Sequence, residues 1–434
     1  MNHLMTKLSH SHKLLLAALL TWSVSAYCQQ PLSTYDQNKP IGWGAQPGFE
    51  VTGGEGGEEV VVNTEDELDA AINKKGASGE RDVPMIIYVK GQVEFKKMHT
   101  WHVKNKTILG LPGSRIFSND RTKKNSGIMK FSSGSGADSE NIILRNLTIQ
   151  GAGAYDVDGD DALLFQGVRR IWVDHCTIGD GVDSSFDCNH ESDYICVSWC
   201  RFVYKIAPQE GGSGGADDHR FCNTWGSSDK ATESEGHLNT TFANCWWDEG
   251  CMERCPRVRF GKVHIVNCYY TNTGCHYSIG YGYKSNIFAE NCWFGDGVTA
   301  TKDYTDPKKG YADYNLQLTG CHGQDDLKQQ SGIIDYFVPS QYYTYAAFDA
   351  SLVPSVVGNQ QTGAGATLMV EVGKGVTGYA NAPTAIAVAP SDAAARSPHF
   401  FSPSGVRLPS PRRGLTIVRQ TMTDGGIETV KIRK

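Results

Sequence analysis

The feature that most constrains the fold is a short motif that returns about every two dozen residues. The copies are R-N-L-T-I, D-H-C-T-I, S-W-C-R-F, A-N-C-W-W, V-N-C-Y-Y and E-N-C-W-F, beginning at Arg145, Asp174, Ser198, Ala243, Val266 and Glu290. The third residue is leucine in the first copy and cysteine in the others, at intervals of 29, 24, 45, 23 and 24 residues. The interval of 45 is close to two periods, and K-N-K-T-I at Lys104 is an earlier copy. A repeat of this length is typical of a solenoid.

Each copy follows a short run rich in β-branched residues, such as N-I-I-L or K-V-H-I-V, and Gly, Asn and Asp separate the runs. Helical periodicity is missing, so each unit is predicted to be one coil of an all-β, parallel β-helix. The repeated cysteines would then stack inside it, roughly 4.8 Å apart, as buried packing groups. Five further cysteines lie off this ladder and could form disulfides: Cys188, Cys196, Cys251, Cys255 and Cys275.

The two ends of the repeat have their own signals. T-E-D-E-L-D-A-A-I-N, Thr64 to Asn73, predicts a short helix with a capping box from Thr64 to Glu67. This helix is expected to cover the open end of the solenoid. A glycine-rich segment, residues 211–218, is expected to be a flexible excursion from one coil. The pattern fails after about residue 365, so residues 27–365 are predicted as the β-helix domain and 366–434 as a linker and small C-terminal β tail.

Residues 1–26 have the pattern of a secretory signal peptide. Basic residues precede the apolar run L-L-L-A-A-L-L-T-W-S-V-S-A, and small residues indicate cleavage after Ala26. No later apolar run is long enough to cross a bilayer. We therefore expect a protein that is secreted, or that resides in the periplasm or at the cell surface. The net charge of -6 and the lack of a long basic run argue against a nucleic-acid partner.

The cysteine ladder also predicts which charged residues share a face. Asp183 and Asp187 lie 17 and 13 residues before the ladder cysteine of their coil, and Asp161 lies 15 before its own. Arg254 lies 14 residues before the ladder cysteine that follows it. All four should stack at one height on successive coils. Three converging carboxylates repel one another unless a cation lies between them, and a set of oxygen ligands favours Ca²⁺.

A fourth oxygen ligand cannot be chosen, because three neighbouring aspartates qualify: Asp156, Asp158 and Asp160. Each aspartate taken alone is also compatible with an ordinary turn residue.

The positive charge is gathered in E-R-C-P-R-V-R-F, which begins at Glu253 and is followed by Gly261 and Lys262. Guanidinium groups bind carboxylates bidentately. Arg254 and Arg259 are five residues apart and would point to opposite faces of a straight strand. Pro256 cannot donate to a strand ladder and predicts a bend that brings both onto one groove. Arg257 and Lys262 could instead be solvated. Calcium beside arginines would suit an acidic polymer.

In order along the chain, these residues resemble the pectate lyases of polysaccharide lyase family 1. The matches are D-A at Asp161, W-V-D-H at Trp172, D-x-x-x-D at Asp183, V-S-W at Val197, G-S-S-D at Gly226 and R-x-P-x-x-R-x-G at Arg254. The resemblance runs from about residue 42 to about residue 365. It implies a right-handed parallel β-helix, acting as a monomer, that cleaves de-esterified polygalacturonate by calcium-dependent β-elimination and leaves 4,5-unsaturated oligogalacturonides.

The resemblance also implies roles for single residues. The calcium ligands would be Asp161, Asp183 and Asp187. Arg254 would remove the C5 proton, and Arg259 would bind a substrate carboxylate. For a further carboxylate contact the family uses a lysine, which is replaced here by an altered segment, so that Lys205 and Arg220 both stay open.

Three other functions compete with this hypothesis. A polygalacturonase would hydrolyse the same polymer with an aspartate cluster, to which G-D-D at residues 159–161 is similar. A pectin lyase would act on methylated polymer without calcium, and the three aspartates argue against it. A non-catalytic binding solenoid could keep the calcium but would not need Arg254.

The C-terminal tail resembles sorting tails of exported proteins in the Bacteroidetes, or is a small β appendage without that role.

Overall fold

The computed structural model describes residues 38–134, 138–332 and 335–381, and four strands between residues 399 and 433. The predicted signal peptide, residues 1–26, lies outside this part. The chain divides into two compact units, Met1–Asn381 and Ala382–Lys434. In the first unit, each coil adds one strand to each of three parallel sheets, named A, B and C in chain order.

Sheet A has eleven strands, of which only the last pairs antiparallel. They are β1 to β11, at Glu58–Val62, Met85–Val89, Lys104–Gly110, Glu140–Arg145, Arg169–Asp174, Asp193–Ser198, Thr240–Ala243, Lys262–Val266, Asn286–Glu290, Tyr314–Thr319 and Leu327–Ser331. Sheet B has eight strands, at Gln92–Glu94, Arg115–Phe117, Thr148–Gln150, Thr177–Gly179, Arg201–Val203, Trp246–Trp247, Tyr269–Tyr270 and Trp293–Phe294. Sheet C also has eight, at His99–Trp101, Met129–Ser132, Leu163–Gln166, Phe186–Asn189, Thr224–Trp225, Arg257–Val258, Ile279–Tyr281 and Thr301–Asp303. The predicted parallel β-helix is confirmed.

The repeated motif forms the tight turn between sheets A and B. The second residue of each copy has a left-handed φ, between 46° and 56°, at Asn146, His175, Trp199, Asn244, Asn267 and Asn291. Asparagine tolerates this region better than most residues, which explains its frequency there. The third residue then points inward and is fully buried, at Leu147, Cys176, Cys200, Cys245, Cys268 and Cys292. The predicted internal ladder is therefore confirmed.

Two details of the predicted repeat are wrong. Ile195 to Ser198 pair directly with Thr240 to Ala243, so the interval of 45 residues is one enlarged coil and not two periods. The K-N-K-T-I segment is not a copy of the turn, because Lys104 pairs with Glu140, at the start of a sheet A strand. The interval of 45 residues matches the repeat in spacing, and K-N-K-T-I matches it in sequence. Strand pairing nevertheless decides where each coil begins, so both matches mislead.

Aromatic side chains complete the core. Along sheet B, Trp247 stacks on Phe202 at 5.3 Å and on Tyr270 at 4.9 Å between ring centroids, and Tyr270 stacks on Phe294 at 4.6 Å. Such stacked pairs add to the free energy gained from burying the rings. Every cysteine in the described ranges is a free thiol, so the pairings left open for the off-ladder cysteines do not occur there.

The predicted capping helix is present at Glu65–Ile72. Thr64 Oγ1 accepts a hydrogen bond from the Glu67 amide at 3.2 Å, and the Glu67 carboxylate accepts one from the Asn63 amide at 2.8 Å. Leu68 and Ile72 are buried in the same core as the first coil. Within the described ranges, the other helical segments are one short α-helix, Val353–Val356, and five 3₁₀ segments, Gly42–Ala45, Thr232–Ser234, Pro307–Lys309, Pro339–Gln341 and Ala350–Leu352.

Residues 366–381, beyond the predicted end of the β-helix domain, still belong to the first unit. A hairpin, Leu368–Glu371 and Gly375–Tyr379, packs Leu368 and Val370 against Tyr88 and Leu109 of sheet A. The second unit has a four-stranded antiparallel sheet, at His399–Phe401, Arg407–Leu408, Leu415–Thr421 and Ile427–Arg433, as the predicted β tail requires. Across the described ranges, no helix combines the length and the apolar character needed to span a membrane.

Candidate active site

The outer surface of sheet C carries the candidate site. Cys188, Trp225 and Val258 point from its strands into the core, so the residues before them point outward. Among these, Asp187 and Thr224 belong to neighbouring strands, joined by the hydrogen bond from the Thr224 amide to Asp187 Oδ1 at 2.7 Å. The alternation of a β-strand thus exposes one row of polar side chains across successive coils.

Asp161 precedes a sheet C strand, and its neighbour Ala162 donates a backbone hydrogen bond to Ser184 on the next coil. Its side chain is buried, and Oδ1 has no hydrogen-bond partner among the described residues. Burial, together with the charges of Asp187 and Asp183, raises the pKa of Asp161 well above its usual value. An unsatisfied carboxylate oxygen in this position favours a cation beside it.

Asp187 lies on the neighbouring strand. Its Oδ1 accepts hydrogen bonds from Ser184 Oγ at 2.6 Å and from the Thr224 amide at 2.7 Å. Burial raises the pKa of Asp187 to about 6, although these bonds and the Arg254 guanidinium act in the opposite direction. Asp187 and Asp161 therefore lie together in a site where negative charge is poorly compensated by the protein.

Asp183 is bound by a residue that sequence reasoning missed. His219 Nε2 lies 2.7 Å from Asp183 Oδ1, and His219 Nδ1 lies 3.5 Å from Asp156 Oδ1. His219 arrives at the end of the glycine-rich excursion, which is attached to Asp156 by the Gly214 and Ala216 amides, each at 2.8 Å. The segment is thus an excursion, as predicted, but one held by hydrogen bonds. The sequence signal that could have pointed to His219 is its position directly after two aspartates, Asp217 and Asp218.

The carboxylate oxygens of the three aspartates are of the donor type that a hard cation prefers. Among the described residues, Asp161 Oδ1 has no hydrogen-bond partner, while Asp183 and Asp187 use Oδ1 for hydrogen bonds and keep Oδ2 uncommitted. Oxygen donors of this kind suit Ca²⁺. Within the described part of the chain, no group of three or more His, Cys, Asp or Glu side chains is arranged so that it could hold a metal ion as it stands. Of the alternative fourth ligands, Asp158 pairs with Lys123 at 2.5 Å and Asp156 accepts from the excursion, whereas Asp160 lies close enough to contribute to the raised pKa of Asp161.

Arg254 stands at the turn before its sheet C strand, with a φ of 60°, so the expected bend is present. Its guanidinium carbon lies 4.1 Å from the ring centroid of Phe221, and Nη1 donates to Thr224 Oγ1 at 3.1 Å. Nε is buried without a hydrogen-bond partner. Among the described residues no carboxylate lies within ion-pair distance of Arg254. The side chain is held by an aromatic ring and a hydroxyl, which leaves its charge available to a ligand.

Arg259 is instead neutralised by the protein. Nε donates to Asp229 Oδ1 at 2.8 Å, Nη1 donates to the Gly226 carbonyl at 2.8 Å, and the residue is only 8% exposed. Gly226 has a φ of 89°, and a Cβ there would lie 3.0 Å from Arg259 Cβ, so glycine is needed for this close approach. Asp229 is the last residue of the G-S-S-D motif, whose structural purpose is thereby explained.

Arg220 and Lys205 are the two candidates for the further contact with a substrate carboxylate. Neither of them contacts the three aspartates among the described residues. Arg220 forms a bidentate pair with Asp218, at 2.7 and 2.6 Å, which raises the pKa of Arg220. It does lie next to Phe221, which supports Arg254. Lys205 is exposed, and its ammonium has no hydrogen bond or ion pair to any residue that the structure describes.

Fold and site together define the class of this chain: a parallel β-helix protein with carboxylates and guanidinium groups on the outer face of one sheet. A family model described as pectate lyase matches residues 12–366. The chain belongs to the pectate lyase family, as the sequence motifs predicted.

Similar proteins agree with this family. The chain is 29% identical over 272 residues to a pectate trisaccharide-lyase of Thermotoga sp. strain RQ2. The aligned region covers 59% of this chain and 62% of the relative. It is 31% identical over 287 residues to a pectate lyase of Emericella nidulans, with 63% and 74% covered. Its fold is similar to that of a pectate lyase from Bacillus sp. N165 in complex with trigalacturonate, with a TM-score of 0.52, 19% identity, and 75% and 99% of the two chains covered.

Proposed function

We propose that this chain is a pectate lyase that cleaves de-esterified polygalacturonate by calcium-dependent β-elimination, giving 4,5-unsaturated oligogalacturonides. Family membership supports the reaction class. The observation that carries the proposal is the pairing of an unneutralised guanidinium, Arg254, with two carboxylates, the buried Asp161 and the half-buried Asp187, whose own charge the protein compensates poorly. A site with cationic and anionic halves suits an anionic substrate that is bound through a metal.

In this proposal Asp161, Asp183 and Asp187 hold Ca²⁺ through their uncommitted oxygens. Bound calcium would neutralise the uronate carboxylate and make the neighbouring C5 proton more acidic. His219 orients Asp183 by holding its Oδ1. Arrangement of a metal ligand by a hydrogen-bonded neighbour is a general feature of metal sites.

Arg254 is the proposed base. In this step Arg254 acts as the neutral guanidine, after giving one proton to solvent: a guanidine nitrogen takes the C5 proton and becomes the guanidinium, the electron pair of the C–H bond forms the C4=C5 double bond, and the C4–O4 bond breaks. The departing glycosidic oxygen takes a proton from solvent water to become the new hydroxyl. Phe221 and Thr224 keep the guanidinium in place during this step. General-base catalysis requires such positioning within hydrogen-bond reach of the proton.

Arg259 is the proposed partner of a substrate carboxylate, which would share it with Asp229. Arg220 and Lys205 are the two candidates for a further carboxylate contact, and Arg220 would have to exchange Asp218 for the substrate.

We further propose that the protein acts as a secreted, periplasmic or cell-surface monomer after cleavage behind Ala26. Residues 27–365 are the proposed lyase domain, the hairpin at residues 368–379 packs on it, and the chain beyond residue 381 is the proposed linker and sorting tail. The apolar N-terminal run and the change of sequence pattern after residue 365 support this part of the proposal.

The proposal is tested by the ultraviolet absorbance of polygalacturonate incubated with the purified protein, with calcium and then with a chelator. A rise in absorbance that the chelator abolishes, and that Arg254→Ala does not produce, is the expected result. Growing reducing ends without absorbance would mean hydrolysis and would refute the proposal. Binding of polymer without either signal would instead indicate the non-catalytic solenoid.

A further inference from the structure

The outward row of sheet C continues past the candidate site for two more coils. Thr224, Arg257, Gly280 and Lys302 pair in register on four consecutive strands. Their inward neighbours on these strands, which include Val258 and Ile279, belong to the core, so this row faces outward. Arg257 and Lys302 are therefore two strand spacings apart, roughly 10 Å, with a glycine between them.

Arg257 is a cation without an anion. Its guanidinium carbon lies 3.9 Å from the ring centroid of Tyr304, and Nε is buried with no hydrogen-bond partner. No acidic side chain within the described ranges forms an ion pair with it. Burial, together with the charges of Arg259 and Arg254, lowers the pKa of Arg257 to about 10. A bound anion would relieve all of these unfavourable interactions.

Lys302 is in a similar state two coils further on. It is exposed, and its ammonium lies 5.1 Å from the ring centroid of Tyr304 and 5.2 Å from that of Tyr277. The described residues offer it no carboxylate. Tyr304 thus contacts both cations, and its ring lies 4.9 Å from that of Tyr277.

Gly280 lets the side chains of Tyr277 and Arg257 pack closely over the strand that lies between the two cations. A Cβ at this position would lie 2.8 Å from Tyr277 Cε2 and 3.2 Å from Arg257 Cγ. A larger residue would therefore displace the side chains that line this stretch of the row.

The neutralised arginines provide the contrast. Arg259 is paired with Asp229 and Arg220 with Asp218, so a ligand would have to compete with an acidic residue of the protein at both. Arg257 and Lys302 have no such competitor.

We propose that Arg257, Lys302 and Tyr304 form a subsite for the free carboxylate of a uronate sugar, in an acidic polysaccharide that continues across the coils beyond Arg254. The subsite rests on the proposed function for the identity of its ligand. Because an ester carries no charge, the subsite selects de-esterified polymer at this position. It also favours chains long enough to reach from the three aspartates to Lys302.

The test is equilibrium binding of hexagalacturonate in the Arg254→Ala background, where turnover does not interfere, measured by calorimetry with calcium present. Adding Lys302→Gln is expected to weaken binding by about two- to fivefold, the range of an exposed ion pair. The effect should shrink for trigalacturonate, for the methyl-esterified hexamer and in high salt. Lys328→Gln is the matched control, because Lys328 is also exposed and also lies over a tyrosine ring, 4.1 Å from the centroid of Tyr336, on sheet A.

Equal affinities in the Lys302 and Lys328 variants would overturn the subsite, and so would the same loss for the methyl ester as for the free acid. Arg257→Gln should weaken binding by about tenfold or more, as expected of a hydrogen bond to a charged group. Since Arg257 is partly buried, the exposed Lys302 decides the test. The result is separate from the proposed reaction: a Lys302-dependent affinity in a protein without elimination would refute the reaction alone. Elimination with no dependence on Lys302 would refute the subsite alone.

Discussion

The charge on Asp187 should destabilise the calcium-free protein, and Asp187→Asn should remove that effect. The pKa of this carboxyl is about 6 in the folded protein, against an ordinary value of 3.8. A difference of about two units corresponds to about 3 kcal/mol in the free energy of unfolding. Asparagine is a close replacement, because its Oδ1 can still accept the hydrogen bonds from Ser184 Oγ and the Thr224 amide.

The pH range follows from the direction of the shift. A folded-state pKa above the unfolded value means that the folded protein binds the proton more tightly. The stability associated with the protonated carboxyl is therefore complete below about pH 4 and is lost as the pH rises through about 6. In a chelator, Asp187→Asn should raise the free energy of unfolding by up to about 3 kcal/mol at pH 8 and leave it unchanged at pH 4.

Urea denaturation followed by tryptophan fluorescence measures this difference at both pH values. Asp158→Asn is the control, because Asp158 is exposed, is paired with Lys123 and has a lowered pKa, so its replacement should not stabilise the protein. Calcium should stabilise the unchanged protein at pH 8, by about 2.7 kcal/mol at a hundred times its Kd, and Asp187→Asn should lose most of that gain. A variant that is less stable than the parent at pH 8 in chelator, or equally stabilised at pH 4, would refute the reasoning.

Three further outcomes can be checked. Arg254→Ala should abolish the absorbance change while the affinity for hexagalacturonate stays within a few-fold; retained turnover would exclude Arg254 as the base. Asp229→Asn leaves Arg259 buried without its partner, and should lower the free energy of unfolding by about 3 kcal/mol and raise KM more than it lowers kcat; an unchanged melting temperature would argue against this. His219→Ala should weaken calcium binding to the substrate-free protein by about tenfold or more, because Asp183 loses its orienting contact; equal calorimetric titrations would contradict that role.

The sequence by itself determined the coil and the face on which the site lies. Residues that point inward must be apolar or small on every coil. The sequence of a solenoid therefore repeats these residue types periodically, and the ladder cysteine is the most regular of them. Counting from that ladder places Asp161, Asp183 and Asp187 within one coil of one another, and the structure has them on adjacent coils. The family follows from the same ordered motifs, since they occupy fixed positions on successive coils.

Tertiary structure alone decided which of the charged groups are available to a ligand. Arg259 and Arg220 look like substrate contacts in sequence, but Asp229, 30 residues away in the chain, neutralises Arg259, and Asp218 of the same segment neutralises Arg220. His219 reaches Asp183 because the enlarged coil folds back onto Asp156, a contact that bridges 60 residues of chain between Asp156 and Ala216. Lys302 and Arg257 lie near each other because of strand register, and both contact the ring of Tyr304. Such pairings depend on where long segments return to the solenoid, and local residue preferences carry no information about that.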